Sequence, residues 1–394
     1  MNPVFRNLPT TIFEKMSQRA RERGAINLGQ GFPDGPVNDA VIAAAADALR
    51  IRSNQYPPMN GIPELREAVA HWYQRQQGLV LDPAEVIVTS GATEALAASL
   101  LALIAPGDEV LVFEPLYDAY VPLIARAGGI ARPLRLVLPE GRLDLQGLVD
   151  SITPRTRLLV LNDPLNPLGT RMHPSDLAFI ADTCVACNLI AVCDEVWEAL
   201  VYDGASHRSL MTFPGMRDRT VKIGSAGKIF GLTGWKVGWM CASPAIARVL
   251  AKAHQFLTFT TPPNLQWAVA IGLESQDEWV SAARVQHQEA RDFFSAGLGA
   301  IGLSALPSAA TYFVTIDLAS SGITVEDRQF CEIMIDAAGV AAIPVSAFYA
   351  SDPPKHLVRF CFAKERNALQ QALAKLGNML EEADWGVSVA RRSR

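Results

Sequence analysis

Lys228 is the residue whose type and setting first suggest chemistry, and Asp194, Asn166 and Arg359 stand in settings that must be weighed beside it. Lys228 stands in Ser225-Ala226-Gly227-Lys228-Ile229-Phe230-Gly231-Leu232-Thr233-Gly234-Trp235-Lys236, whose glycines permit backbone shapes that other residues resist. Apolar Ile229 and Phe230 and a second cation at Lys236 favour a neutral amine, and a neutral lysine forms an imine with a carbonyl group. Most turn lysines are simply solvated, so the neighbours must carry the reading. Asp194 follows the apolar run 189–193. A carboxylate at the C-terminal end of a strand in an α/β sheet is a usual place for chemistry, and capping a helix is the ordinary alternative. Asn166 sits between two X-Pro steps, Asp163-Pro164 and Asn166-Pro167, which force an extended, bent exit from the strand over 157–161. Arg359 lies inside the apolar run 357–362. Its planar fork suits a carboxylate, whereas most strand arginines sit at an edge or in an ion pair.

An alternation of strands and helices must hold these residues. Strands are expected over 85–89, 108–113, 157–161, 189–193, 221–223 and 236–240, and helices over 37–50, 63–77, 95–104 and 178–186. Ser90-Gly91-Ala92-Thr93 turns the first strand into a helix. Free N–H groups at a helix start make an anion site, and capping by Ser90 or Thr93 would use the same donors. Gly31 and Tyr56 fall in glycine- and proline-punctuated loops, and Tyr117 reads as a core aromatic. From about position 264 the rhythm changes: a long helix over 279–298, strands over 312–317, 340–345 and 357–362, and a last helix over 367–381. The basic tail Arg391-Arg392-Ser393-Arg394 is expected to fray.

Composition excludes several classes. At 394 residues the chain is long enough for one large and one smaller domain, and with 49% hydrophobic residues it can bury a sizeable core. A formal charge of −5 without a dense basic run argues against nucleic-acid binding. The longest apolar run, 95–105, is shorter than the ~20 residues a membrane helix needs, and the N-terminus has no signal-peptide core. Six cysteines set in apolar runs point to buried thiols in a reducing, cytoplasmic setting. Cys184-x-x-Cys187 lacks the second pair that a zinc site needs, and no metal is expected.

The stretch S-A-G-K-I-F-G-L-T-G-W-K-V-G over 225–238 resembles the cofactor-lysine motif of pyridoxal-phosphate aminotransferases of fold type I, class I. The resemblance is nearest to the subgroup of kynurenine, glutamine, methionine and N-succinyldiaminopimelate aminotransferases, and it spans about Leu8 to Lys364. It implies an α/β fold: a large cofactor domain over 36–280 with a mainly parallel sheet between helices, and a smaller α+β domain from 1–35 and 281–394. It makes Lys228 the imine-forming catalytic lysine and Asp194 the partner of the pyridine nitrogen. Ala92 and Thr93 become the phosphate cup, Ser225 and Lys236 further cofactor ligands, and Tyr56 reaches the phosphate from across a homodimer interface. Tyr117 would stack on the ring. Asn166 would bond the phenolic oxygen and the substrate carboxylate, which Arg359 and the Gly31 N–H also hold. Trp197 replaces the tyrosine of the family's D-E-V-Y, so an indole stands where relatives donate a hydroxyl to the phenolic oxygen. The implied function is transfer of the amino group of an L-amino acid to a 2-oxo acid, by a ping-pong mechanism. Other classes stay open: a C–S β-lyase acting on cysteine conjugates with the same parts, or a regulator that binds the cofactor without turnover. A nicotinamide oxidoreductase is the weakest, since no G-x-G-x-x-G follows an early strand. The residues do not say which amino donor and acceptor are used.

Overall fold

The structure, a computed structural model, describes residues 1–6, 8–35 and 37–382. The expected fraying of Arg391–Arg394 lies outside the described residues. The chain divides into two compact units: Met1–Asn7, Pro36–Asn166 and Thr170–Val285 in the first, and Leu8–Gly35, Pro167–Gly169 and Gln286–Arg394 in the second. These bounds differ from the expected division in assigning the first residues to the first unit, 167–169 to the second, and the later crossing to 285.

The first unit is built on a seven-stranded sheet. Its strands are β1 (Val86–Ser90), β2 (Glu109–Glu114), β3 (Ile130–Arg135), β4 (Thr156–Asn162), β5 (Ile190–Asp194), β6 (Thr220–Ser225) and β7 (Val237–Cys241). They lie in the order β1-β7-β6-β5-β4-β2-β3. All neighbours from β6 to β3 are parallel; β7 runs antiparallel to both β1 and β6. Parallel strands covered on both faces read as continuous apolar runs, and every residue of β2, β6 and β7 is buried. The helix α1 (Pro63–Gln77) starts on proline, whose missing N–H costs nothing there, and stops at Gly78, which takes the left-handed φ of 64°. Its Leu65, Val69, Trp72 and Tyr73 pack into one core with Val86, Val88, Phe230 and Trp239. Full burial of each such side chain contributes about 1.5–3 kcal/mol. That core seats the segment leading out of the Lys228 turn, because Phe230 is wholly buried in it.

The second unit has a four-stranded antiparallel sheet of β8 (Ser304–Ala305), β9 (Phe313–Asp317), β10 (Ile343–Pro344) and β11 (Leu357–Cys361), ordered β10-β11-β9-β8. The single strand expected over 340–345 is two pieces. Val340–Ala341 pairs in parallel with Ile26–Asn27, while β10 pairs with β11. Pro344 cannot donate to a ladder, which suits its place on the edge of the sheet. Cys184 is buried at the end of the helix Pro174–Ala186, Cys187 is exposed just beyond it, and all six cysteines are free thiols.

Candidate active site

A cavity in the first unit is lined by Gly91, Ala92, Thr93, Tyr117, Asn162, Asn166, Asp194, Trp197, Ser225, Lys228 and Lys236, among others. Three parallel strands in a row deliver its polar residues. β4 ends at Asn162, β5 at Asp194 and β6 at Ser225, and the carboxyl ends of such strands are where open α/β sheets bind ligands.

Lys228 sits on a single helical turn, Ala226–Ile229, directly after β6. A Cβ on Gly227 would come within 2.9 Å of the Thr233 Cα, so only glycine lets this turn pack against the following Thr233–Trp235 turn. The Lys228 ammonium lies over the Trp197 ring, 4.5 Å from its centroid. Lys236 adopts the left-handed region at φ 55° and ψ 43°, a costly conformation for a non-glycine residue that recurs at functional sites. It brings the amine beside the start of the helix α2 (Gly91–Leu103): Nζ lies 3.4 Å from where a Cβ on Gly91 would be. Gly238 permits the same approach from β7, since a Cβ there would meet the Ala92 N at 2.9 Å.

Side-chain capping by Ser90, the ordinary alternative to an anion site, is not made, although Ser90 is the N-cap residue. The Ser90 N–H is instead taken by the Glu94 carboxylate, which also accepts from Thr258 and bonds His254. Ala92 and Thr93 in this first turn line the cavity together with Lys236, and a helix start beside a cation is a setting suited to an anion.

Asp194 is buried, and its two oxygens are unequal. Oδ2 accepts from the Tyr120 hydroxyl at 2.6 Å, whereas Oδ1 is buried and accepts no hydrogen bond. Burial pushes the Asp194 carboxyl up; Tyr120, the Val196 N–H and Lys228 pull against that rise. An N–H on an aromatic ring held in the cavity would supply the donor that Oδ1 lacks, so these residues fit pyridoxal phosphate. Tyr117 lines the cavity and packs edge-on against Tyr120, with centroids 5.7 Å apart. Burial pushes the Tyr117 phenol up to about 12, so it stays neutral. Tyr117 is thus a cavity aromatic rather than only a core one. Asn162, which the motif reading passed over, anchors the strand ends. It donates to the Asp194 carbonyl at 2.9 Å and accepts from the Asn166 N–H at 3.0 Å.

The structure does not bring every expected residue to this cavity. Tyr56 is 84% exposed, packs edge-on against Phe259, and is absent from the cavity lining. Gly31 and Arg359 belong to the second unit, where they share one aromatic ring. The buried Arg359 guanidinium stacks 3.9 Å from the Phe313 centroid and donates to the Gly29 carbonyl at 2.6 Å. A Cβ on Gly31 would come 2.6 Å from the same Phe313 ring. Tyr120 had no signal of its own in the sequence, because one tyrosine three residues after another reads as packing.

A mainly parallel sheet with a lysine, an aspartate and an asparagine at adjacent strand ends is the fold type I architecture of pyridoxal-phosphate enzymes. The family model described as aminotransferase class I and II matches residues 23–376, and the chain belongs to that family. It is 42% identical over 390 residues to the probable N-succinyldiaminopimelate aminotransferase DapC of Mycobacterium tuberculosis, covering 96% of this chain and 98% of that one. The solved N-succinyldiaminopimelate aminotransferase structure from that organism superposes with a TM-score of 0.92 at 42% identity, covering 96% of this chain and 100% of the other. The chain is also 38% identical over 370 residues to the methionine aminotransferase of Escherichia coli K12, covering 94% and 96% of the two chains.

Proposed function

We propose that this protein is a pyridoxal-phosphate-dependent aminotransferase that moves the amino group of an L-amino acid to a 2-oxo acid in two half-reactions. The observation that carries this reading is one cavity holding Lys228, Asn166 and Asp194, with a buried Asp194 oxygen that lacks a donor. Bound there, the cofactor supplies a carbonyl for the amino group and a conjugated ring to accept the electron pair left by the departing α-proton. Lys228 would carry it, Asp194 would hold its ring nitrogen, Tyr117 its face, and Asn166 and Trp197 the side bearing the phenolic oxygen. Ala92, Thr93, Ser225 and Lys236 would hold its phosphate.

Lys228 Nζ would take the proton from the substrate Cα as general base and, as general acid, deliver it to the carbon that was the cofactor's carbonyl rather than back to Cα. Arg359, Asn166 and the Gly31 N–H are the groups the family resemblance gives to the substrate carboxylate, a hold that would set which Cα bond is presented. Tyr56 serves the phosphate of a second copy in a homodimer. Its 84% exposure supports this, as do Phe256, 84% exposed, and Phe259 nearby in the sequence; such an apolar surface suits a partner. No helix among the described residues is long and apolar enough to cross a membrane, and the free thiols suit the cytoplasm.

The test uses the cofactor-loaded protein with one amino donor and no acceptor. A panel of methionine, kynurenine and N-succinyldiaminopimelate is the natural start. The right donor should release its 2-oxo acid in a single burst and stop, and turnover should resume when a 2-oxo acid is added. Continuous release of pyruvate and ammonia from a cysteine conjugate without an acceptor would favour the lyase instead. Silence with every donor and conjugate would defeat both.

A further inference from the structure

We propose that Tyr120 is a positioning residue that keeps Asp194 ionised and leaves only Oδ1 for the ring nitrogen of the cofactor. This inference rests on the reading of the cavity as a pyridoxal-phosphate site. The geometry is direct. The Tyr120 hydroxyl donates to Oδ2 at 2.6 Å, both residues are buried, and Oδ1 has no other donor.

Tyr120 is fixed on both sides of that bond. It opens the short helix Tyr120–Arg126, its N–H bonds the Tyr117 carbonyl at 3.2 Å, and its ring packs edge-on against Tyr117. One seven-residue stretch, Glu114 to Tyr120, therefore supplies both an aromatic for the cofactor's face and the donor behind its carboxylate. Burial, with Asp194 and Tyr117 beside it, holds the Tyr120 phenol well above its usual range, so its proton stays on the phenol. The charged or titratable groups facing Asp194 are Tyr120 and Tyr117 from this stretch, Lys228 from the turn after β6, and the adjacent Glu195.

The consequence concerns where a proton rests. With Oδ2 satisfied, Asp194 stays a carboxylate and accepts an N–H from a protonated ring nitrogen. Without the phenol donor, Oδ2 keeps only the Val196 N–H in a buried setting, and protonating Asp194 becomes easier. A carboxylic acid would donate to an unprotonated ring nitrogen instead. Tyr120 acts through Asp194 and touches neither substrate nor cofactor.

The experiment compares the parent with Tyr120→Phe, which removes one oxygen and keeps the ring packing. Apoprotein is titrated with pyridoxal phosphate and with its analogue carrying carbon in place of the ring nitrogen, and binding is read from intrinsic fluorescence. Pyridoxal phosphate should bind the variant about 10- to 100-fold more weakly, the range for losing a hydrogen bond to a charged group, while the analogue should bind both proteins alike. Pyridoxal phosphate labelled with nitrogen-15 should give a pyridinium shift in the parent and a pyridine shift in Tyr120→Phe. Fluorinated tyrosines of graded acidity at position 120 keep ring and donor, and the nitrogen shift should track their acidity even if the phenylalanine variant folds poorly. An unchanged nitrogen shift in Tyr120→Phe, a flat response across the fluorotyrosines, or equal losses for cofactor and analogue would each overturn the proposal. A parent that binds neither compound would instead bring down the cofactor reading itself, and this inference with it.

Discussion

Replacing Lys222 should do more damage than its distance from substrate chemistry suggests. Lys222 is fully buried on β6, and its ammonium bonds both Glu195 and Glu198. Glu195 also bonds His207 at 2.8 Å and Ser209 at 2.9 Å; Glu198 accepts from Tyr73 at 2.8 Å and Gln77 at 2.6 Å. The donor atoms of Glu195, Glu198 and His207 are close enough to hold a metal ion, but a lysine ammonium already bonds both carboxylates. The loop 194–198 alternates in purpose. Asp194 and Trp197 line the cavity, while Glu195 and Glu198 hang in this buried network, so Lys222 pins the loop from behind. Burial pushes the Glu195 carboxyl up, but Lys222 and His207 outweigh it and hold it at about 2. Lys222→Met leaves the two carboxylates without their shared cation, and breaking a buried pair from one side costs about 3–5 kcal/mol. At ~2–4 °C per kcal/mol for a unit of this size, the melting midpoint should fall by roughly 6–20 °C.

The pH dependence carries a sign. Glu195 is depressed in the folded protein, so it stabilises above its unfolded value near ~4.5, and that contribution is lost as pH falls toward 2. In Lys222→Met the Glu195 carboxyl titrates higher, so the deficit relative to the parent should be largest near neutral pH and shrink as pH falls and the carboxylates take up protons. Adding Glu198→Gln should recover part of the loss, because one uncompensated charge disappears. Thermal melts of apoprotein and cofactor-loaded protein across pH 3–8 are the assay. A single variant melting within about 0.5 kcal/mol of the parent near neutral pH, the range of an ordinary surface change, would refute the account.

Other outcomes follow from the same structure. Borohydride treatment of the cofactor-loaded protein should fix the cofactor to the peptide carrying Lys228, and Lys228→Ala should lose transamination by several orders of magnitude; a label on Lys222 or Lys236 would point elsewhere. Arg359→Lys keeps the charge but loses the fork, so kcat/KM for α-amino acids should fall by roughly 2–5 kcal/mol; unchanged values across the donor panel would remove Arg359 from the carboxylate. Trp197→Tyr should lower the pH at which the lysine imine loses its proton and should tighten cofactor binding, because a phenol can donate to the phenolic oxygen where an indole N–H is fixed in its ring. A spectrophotometric titration that stays put or rises would count against that. Mixing Tyr56→Ala with Lys228→Ala subunits should restore activity that neither has alone, since one mixed dimer contains one intact site. No gain on mixing would place Tyr56 outside the partner's site.

The sequence by itself determined the parts whose signals are local. Apolar runs marked β2, β4 and β5, and glycines at 227, 231 and 234 marked a turn with special backbone demands. The stretch around Lys228 resembled a motif of the family whose model the chain matches over 23–376. Such features are written into neighbouring residues, because burial period and backbone freedom act within a few positions. The tertiary structure alone decided which side chains meet. Tyr120 and Asp194 are 74 positions apart, and Lys222 and Glu195 are 27 apart. Nothing in the local pattern of either residue predicts the bond, since it exists only once strand order and register have set the two chains side by side. The same holds for the strand expected over 340–345, whose two halves found different partners. Its hydrophobic pattern fits either sheet, and long-range pairing chose between them.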